Sequence, residues 1–183
     1  ANDDRPNDFG SGRMVIWLIG LSGAGKTTIA RALYQHLKPN TRHLVYLDGD
    51  EFREIFRNDV DYTVSGRRQN AERISHFCNV LDQQGIHVIA SVLSIFPEWQ
   101  QWNRENFSQY FEVFLDIPLE TLRTRDTKGL YLGAERGEID NVVGAHIDFP
   151  SPPSPDLVIN EAQQQGGVGA CVRAILAGLE PLE

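Results

Sequence analysis

The stretch Gly20-Leu21-Ser22-Gly23-Ala24-Gly25-Lys26-Thr27-Thr28 satisfies the spacing Gly-x4-Gly-Lys-Ser/Thr at every required position. Glycines let consecutive backbone N–H groups turn inward around a polyphosphate, Lys26 can reach its β- and γ-phosphates, and the Thr27 hydroxyl can ligate Mg2+. Gly20, Ser22, Gly23, Ala24, Gly25, Lys26, Thr27 and Thr28 are therefore the candidate contacts to ATP as a co-substrate. An apolar run, Met14 to Ile19, precedes the loop and a helix-forming run, Ile29 to Leu37, follows it. That helix would aim its positive N-terminal end at the same anion. Strand before and helix after separate this motif from a glycine-rich turn with no ligand.

Two carboxylates belong to the same edge. His43 to Leu47 reads as a short strand that runs into Asp48-Gly49-Asp50. Ligands of open α/β sheets bind at the carboxyl ends of the strands, where the phosphate loop also lies, so Asp48 and Asp50 are site candidates. The bland alternative is an Asx turn or a helix N-cap, which Asp50 could supply by itself.

Positioning these groups requires a parallel sheet, and the rest of the chain spells one out. Met14 to Ile19 is a strand buried on both faces. The first helix extends to about Lys38, where Pro39-Asn40 stops it. Apolar residues spaced three or four apart predict a helix over Arg67 to Gln84, ended by Gly85. Ile86 to Leu93, Phe111 to Leu115 and Asp156 to Ile159 read as further strands. Helices are expected over Glu98 to Ser108, from Pro118 to about Arg125, and over Val168 to Leu179. Strands alternating with helices give an α/β class with a parallel five-stranded sheet flanked by helices. Residues 127–155 are rich in glycine and proline without sustained period, and next to a phosphate site such a stretch is expected to be a lid.

The 183 residues, 41% of them hydrophobic, suit one α/β domain over 14–183. Ala1 to Arg13 is polar and aperiodic, a disordered lead or a cloning remnant. A formal net charge of −8 argues against a nucleic-acid or membrane surface, so basic residues that matter should be local. Cys78 and Cys171 lack metal-ligand spacing and read as reduced thiols of a cytoplasmic protein. No apolar run reaches the roughly 18 residues that suggest a membrane helix.

In order along the chain, these stretches resemble the adenylylsulfate kinase (APS kinase) family, P-loop kinases that phosphorylate the 3′-hydroxyl of adenosine 5′-phosphosulfate with ATP. The likeness spans Met14 to about Ile159 and rests on several motifs besides the phosphate loop. These are Asp48-Gly49-Asp50 with Arg53; Arg67, Asn70 and Arg73; Leu93-Ser94; Phe111 to Asp116 with Pro118-Leu119-Glu120; Arg125-Asp126 leading into Lys128-Gly129-Leu130-Tyr131; and Gly137-Glu138-Ile139. The resemblance implies a P-loop NTPase fold in which Lys26, Asp50 and Ser94 are catalytic. Thr27 and Asp50 would hold Mg2+, with Asp50 otherwise taking the proton of the attacking hydroxyl. It places Arg125 on the ATP side. Asp50, Arg53, Tyr62, Arg67, Asn70, Leu93, Ser94, Lys128, Asn141 and Val142 fall on the acceptor side, with Arg53, Arg67 and Asn70 on the phosphate-containing end of the acceptor. Guanidinium forks suit such oxygens, and Arg67 and Asn70 share one helix face. Arg73 fits a structural ion pair equally well and is left out of the site.

Departures from the family pattern lie on the acceptor side and the lid. Of two aromatics that sandwich the acceptor adenine in the family, one corresponds to Tyr62 and the other to Val142, which cannot stack. Ser-Pro-Tyr/Phe-Arg becomes Ser94-Ile95-Phe96-Pro97, the lid's lysine pair becomes Leu132-Gly133, the following arginine becomes Glu135, and Gly-Ile-Asp becomes Gly144-Ala145-His146. The donor side is unchanged. The first expectation is therefore a kinase making 3′-phosphoadenosine 5′-phosphosulfate in sulfate activation. The alternatives are a 3′-kinase of another activated nucleotide, such as cytidine diphosphoramidate, and a non-catalytic nucleotide-binding domain of a larger protein. The expected partner is a small nucleotide acceptor, with no nucleic acid and no membrane; a homodimer or a fusion to another enzyme domain stays open.

Overall fold

A computed structural model describes residues 13–126 and 128–179. The polar lead lies outside these residues except for Arg13. Five parallel strands form one sheet in the order β2-β3-β1-β4-β5: β1 Val15–Ile19, β2 Leu44–Asp48, β3 His87–Val92, β4 Tyr110–Asp116 and β5 Leu157–Asn160. Helices α1 (Lys26–Leu37), α2 (Gly49–Ile55), α3 (Val64–Gln83), α4 (Pro97–Asn106), α5 (Leu119–Thr124), α6 (Leu130–Glu135), α7 (Glu161–Gln164) and α8 (Val168–Leu179) connect and flank them.

Every residue of β1 is buried because both faces of the sheet are covered. Ile16 and Leu18 pack with Ile29, Leu33 and Leu37 of α1 and Cys171 and Ile175 of α8. Val15, Trp17 and Ile19 belong to the opposite layer, with Ile74 and Cys78 of α3 and Phe107 just after α4. A strand sandwiched this way reads as a continuous apolar run rather than an alternation. β1 pairs with β3 on one side and β4 on the other. The chain therefore changes direction across the sheet at β1, and the crevice beyond such a switch point is where ligands bind.

Local capping moves several boundaries from those the pattern predicts. Thr63 accepts a hydrogen bond from Gly66 N, which starts α3 at Val64, three residues before Arg67. Asp48 ends β2 and caps the unexpected helix α2, accepting from Asp50 N, so the capping role falls on Asp48 and not on Asp50. The 127–155 stretch holds a short helix, α6. The Asp126 carboxylate accepts from the N–H groups of Leu130, Tyr131 and Leu132 at 2.9, 2.8 and 3.0 Å and so starts that helix. Gly66 packs so tightly that an added Cβ would collide with the carboxylate and backbone carbonyl of Asp61.

Candidate active site

At the carboxyl edge of the sheet lies a cavity of about 1040 Å3, walled by the phosphate loop, the ends of β2 and β3, one face of α3 and residues from the 124–142 region. Of the expected site residues, Ser22, Gly23, Gly25, Lys26, Thr27, Thr28, Asp50, Arg53, Tyr62, Arg67, Asn70, Leu93, Ser94, Arg125, Lys128, Asn141 and Val142 line it. Gly20 and Ala24 do not. Gly20 is pressed against Leu115, and Ala24 is wholly buried with its N–H donated to Leu21 O, so both shape the loop from beneath.

Gly23 and Gly25 adopt φ of 80° and 92°, a region that disfavours side chains, and Gly25 leads into α1 with no side-chain cap on the helix. The first N–H groups of α1 are thus left for an anion. Lys26 Nζ donates to Leu21 O at 2.8 Å. Burial lowers its pKa to about 8, against the opposing pull of the Asp50 and Asp48 charges.

The metal pair expected at Thr27 and Asp50 is arranged differently. Thr27 Oγ1 donates to Asp48 Oδ2 at 2.8 Å, and the same oxygen accepts from Tyr46 and Ser91. Burial pushes the Asp48 carboxyl up, but these bonds and that from Asp50 N outweigh it and hold the group below the usual carboxylate range. Asp50 lies two residues on, inside α2, with its carboxylate exposed and bonded to Lys128 Nζ at 2.8 Å. A hydroxyl and a carboxylate in contact form a hard-oxygen donor pair that suits Mg2+, which typically adds substrate phosphates and water to one or two carboxylates. Thr27 and Asp48 are in such contact, and Asp50 is the neighbouring carboxylate.

Opposite the loop, Arg53 and Arg67 hold their guanidinium carbons 4.7 and 5.3 Å from the ring centroid of Tyr62. Arg53 is buried and donates to Val60 O and Asp61 O, both at 3.2 Å. Arg67 donates to Tyr62 O at 2.8 Å and to Asn141 O at 2.9 Å. Burial first, then the nearby Arg53 charge, lowers the pKa of Arg67. Two cations held side by side by an aromatic ring and carbonyls have the chemistry to bind an anion. Asn141 itself has φ 59°, which turns the chain so that Val142 is buried in the core. Arg73, by contrast, pairs in bidentate fashion with Asp59.

Ser94 follows β3 with φ 46°, and Gln100 donates to its carbonyl at 3.2 Å and its hydroxyl at 3.3 Å. Such backbone strain in a non-glycine residue persists where surrounding contacts hold it. Arg125 donates to Gln164 Oε1 at 3.0 Å, and Gln164 donates to Ala24 O at 2.7 Å, tying α7 to the phosphate loop. Tyr131 OH donates to Ser22 O at 3.0 Å, with burial raising its pKa to about 12. Ser91, Tyr46, Gln164 and Tyr131 were not among the expected site residues. Only Tyr131 had a sequence signal, lying in the Lys128-Gly129-Leu130-Tyr131 motif; Ser91 and Gln164 act through residues distant in sequence, and Tyr46 acts through Asp48 two residues on. Among the described residues no helix is long and apolar enough to cross a membrane.

A family model described as adenylylsulphate kinase matches residues 12–160. A cytidine diphosphoramidate kinase of Campylobacter jejuni is 45% identical over 148 residues, covering 81% of this chain and 86% of that protein. An adenylyl-sulfate kinase of Paraburkholderia xenovorans is 42% identical over 146 residues, covering 79% and 82%. Among solved structures, the APS kinase of Mycobacterium tuberculosis in complex with AMPPNP and APS superposes with a TM-score of 0.83 at 29% identity, over 93% of this chain and 99% of that one.

Proposed function

This chain belongs to the adenylylsulphate kinase family, and from that premise we propose that it transfers the γ-phosphoryl group of ATP to the 3′-hydroxyl of a nucleotide with an activated 5′ tail. One observation carries the reading. Asp50 shares a cavity with Lys26 and Arg67, and its charge pulls against the burial that lowers the pKa of both. A carboxylate so placed stands between a phosphate-donor wall and an anion-binding acceptor wall.

The loop N–H groups and Lys26 hold the ATP phosphates, and Arg125, linked through Gln164 to the loop, lies on the ATP side. Mg2+, held by Thr27 with Asp48 or Asp50, would neutralise charge on the transferred group. Arg53, Arg67 and Asn70 grip the acceptor's 5′ tail, Tyr62 stacks on its base, and Leu93, Ser94, Asn141 and Val142 complete that end. Asp50 takes the proton of the 3′-hydroxyl as its oxygen bonds to the γ-phosphorus and the bond to the ADP oxygen breaks. Lys128, on the 127–155 lid, releases Asp50 as the substrates enter. A non-catalytic binding domain would have no use for a carboxylate so placed.

Adenosine 5′-phosphosulfate is the first acceptor, as in the relatives named for it, which would place the protein in sulfate activation. A second reading, cytidine diphosphoramidate, is favoured by Val142, an aliphatic side chain that offers a purine no stacking partner and tolerates a smaller base. Incubation with ATP, Mg2+ and a panel of both acceptors and plain nucleoside diphosphates, with ADP release measured, tests the proposal. Release with neither activated nucleotide would overturn it.

A further inference from the structure

Side chains from three helices hold carbonyls of the phosphate loop. Lys26 of α1 donates to Leu21 O at 2.8 Å, Tyr131 OH of α6 to Ser22 O at 3.0 Å, and Gln164 Nε2 of α7 to Ala24 O at 2.7 Å. The last two bonds span 109 and 140 residues of sequence. In a trans peptide the carbonyl and the following N–H point to opposite edges of one plane. Holding Ser22 O therefore fixes the direction of Gly23 N–H, and holding Ala24 O fixes that of Gly25 N–H. Among the described residues neither N–H meets a protein acceptor, and Gly23 and Gly25 both line the cavity.

Those two peptides are otherwise free to turn over. Gly23 and Gly25 stand at φ 80° and 92°, and glycine adopts either sign of φ with little penalty. An unheld peptide before either glycine can rotate and present its oxygen where a phosphate needs a donor. The direction of the Gln164 amide is set by its neighbours: Oε1 accepts from Arg125 Nη1 at 3.0 Å while Nε2 meets the Ala24 carbonyl. Turned over, it would set oxygen against that carbonyl and its NH2 against a guanidinium. Tyr131 is 2% exposed, and with its pKa raised to about 12 the hydroxyl keeps its proton and stays a donor at neutral pH.

We infer that Tyr131 and Gln164 are positioning residues for the phosphoryl donor, each pinning one peptide of the loop so that its N–H stays available to a phosphate oxygen. The inference rests on the kinase reading above, in which that donor is ATP. Each side chain acts on a loop N–H through the carbonyl it holds. Donors set in place before the ligand arrives need no reorganisation when charge develops on the transferred group. The loop thus takes its shape from the lid segment and from the end of the sheet as well as from its own glycines.

Calorimetry on the full chain with ATP and with inorganic tripolyphosphate, which has the phosphates and no base, tests the inference. Tyr131→Phe removes one hydroxyl and keeps the ring; Gln164→Met keeps the length and removes the amide. Each should weaken both ligands by the same factor, roughly three- to tenfold, the worth of one hydrogen bond. Circular dichroism and acceptor binding in the absence of ATP should stay as in wild type. The Gln164→Met loss should persist in an Arg125→Met background, because the brace acts on the loop directly. Unaltered tripolyphosphate affinity in either variant, a loss confined to ATP, or a Gln164→Met effect that vanishes without Arg125 would overturn the inference. Weakened tripolyphosphate binding in both variants, beside no ADP release by wild type with any acceptor, would instead sink the kinase reading and leave the two braces standing.

Discussion

Lys128 Nζ lies 2.8 Å from Asp50 Oδ2, joining the 127–155 segment to the helix that follows β2. Both side chains are more than half exposed, so the pair adds little to folding and its meaning is positional. Asp50→Asn should leave the thermal midpoint and ATP binding nearly unchanged while lowering turnover by roughly a hundredfold or more. Calorimetry beside an ADP-release assay checks it; turnover within about threefold of wild type would reject the assigned role.

Asp48 is predicted to behave in the opposite way. It caps α2 and accepts bonds from Thr27, Tyr46 and Ser91. Asp48→Asn turns an acceptor into a donor facing hydroxyls and should cost about 1–3 kcal/mol of stability as well as activity. The folded pKa is depressed, so the carboxylate's contribution is present above its unfolded pKa of about 4 and is lost as pH falls through the folded value. Thermal melts on acidification below about pH 4 should therefore fall more steeply for wild type than for Asp48→Asn.

Lys26 gives a linkage to nucleotide binding rather than to folding. With a pKa lowered to about 8, much of it is neutral at pH 8.5, and polyphosphate would restore the proton. Nucleotide binding near that pH should take up a proton, and affinity should weaken as pH rises beyond 8. Titrations in two buffers of different ionisation heat reveal the uptake. Lys26→Ala should abolish both the uptake and phosphoryl transfer with an unchanged circular dichroism spectrum.

Val142→Phe would add an aromatic ring to the cavity that Tyr62 also lines. Stacking a base contributes about 1–3 kcal/mol in single-strand binders, so the KM for adenosine 5′-phosphosulfate should fall roughly ten- to a hundredfold while that for ATP stays put. Kinetics with both acceptors decide it, and loss of the better acceptor would show a pocket shaped for a base other than adenine.

Sheet and phosphate loop were legible because each rests on local signals: a doubly buried strand is an unbroken apolar run, and the loop motif fixes its own geometry. Helix α2 escaped the pattern because its cap, Asp48, is also the last residue of β2, and a seven-residue helix carries too little periodicity. Helix α6 begins on a carboxylate four residues upstream, which no period reports. Proximity between Thr27 and Asp48 depends on β2 and β1 standing two places apart in the sheet, a topological fact rather than a sequence one.

Gly66 sets the mutational tolerance of the proposed acceptor pocket from outside it. Its missing side chain lets the Asp61 carbonyl sit where Arg53 can donate to it. The smallest possible addition, a methyl group, would evict that carbonyl and with it the perch of a guanidinium that stacks on Tyr62. An inherited alanine at this position would thus present as a substrate-affinity defect in a folded enzyme, although residue 66 itself does not line the cavity.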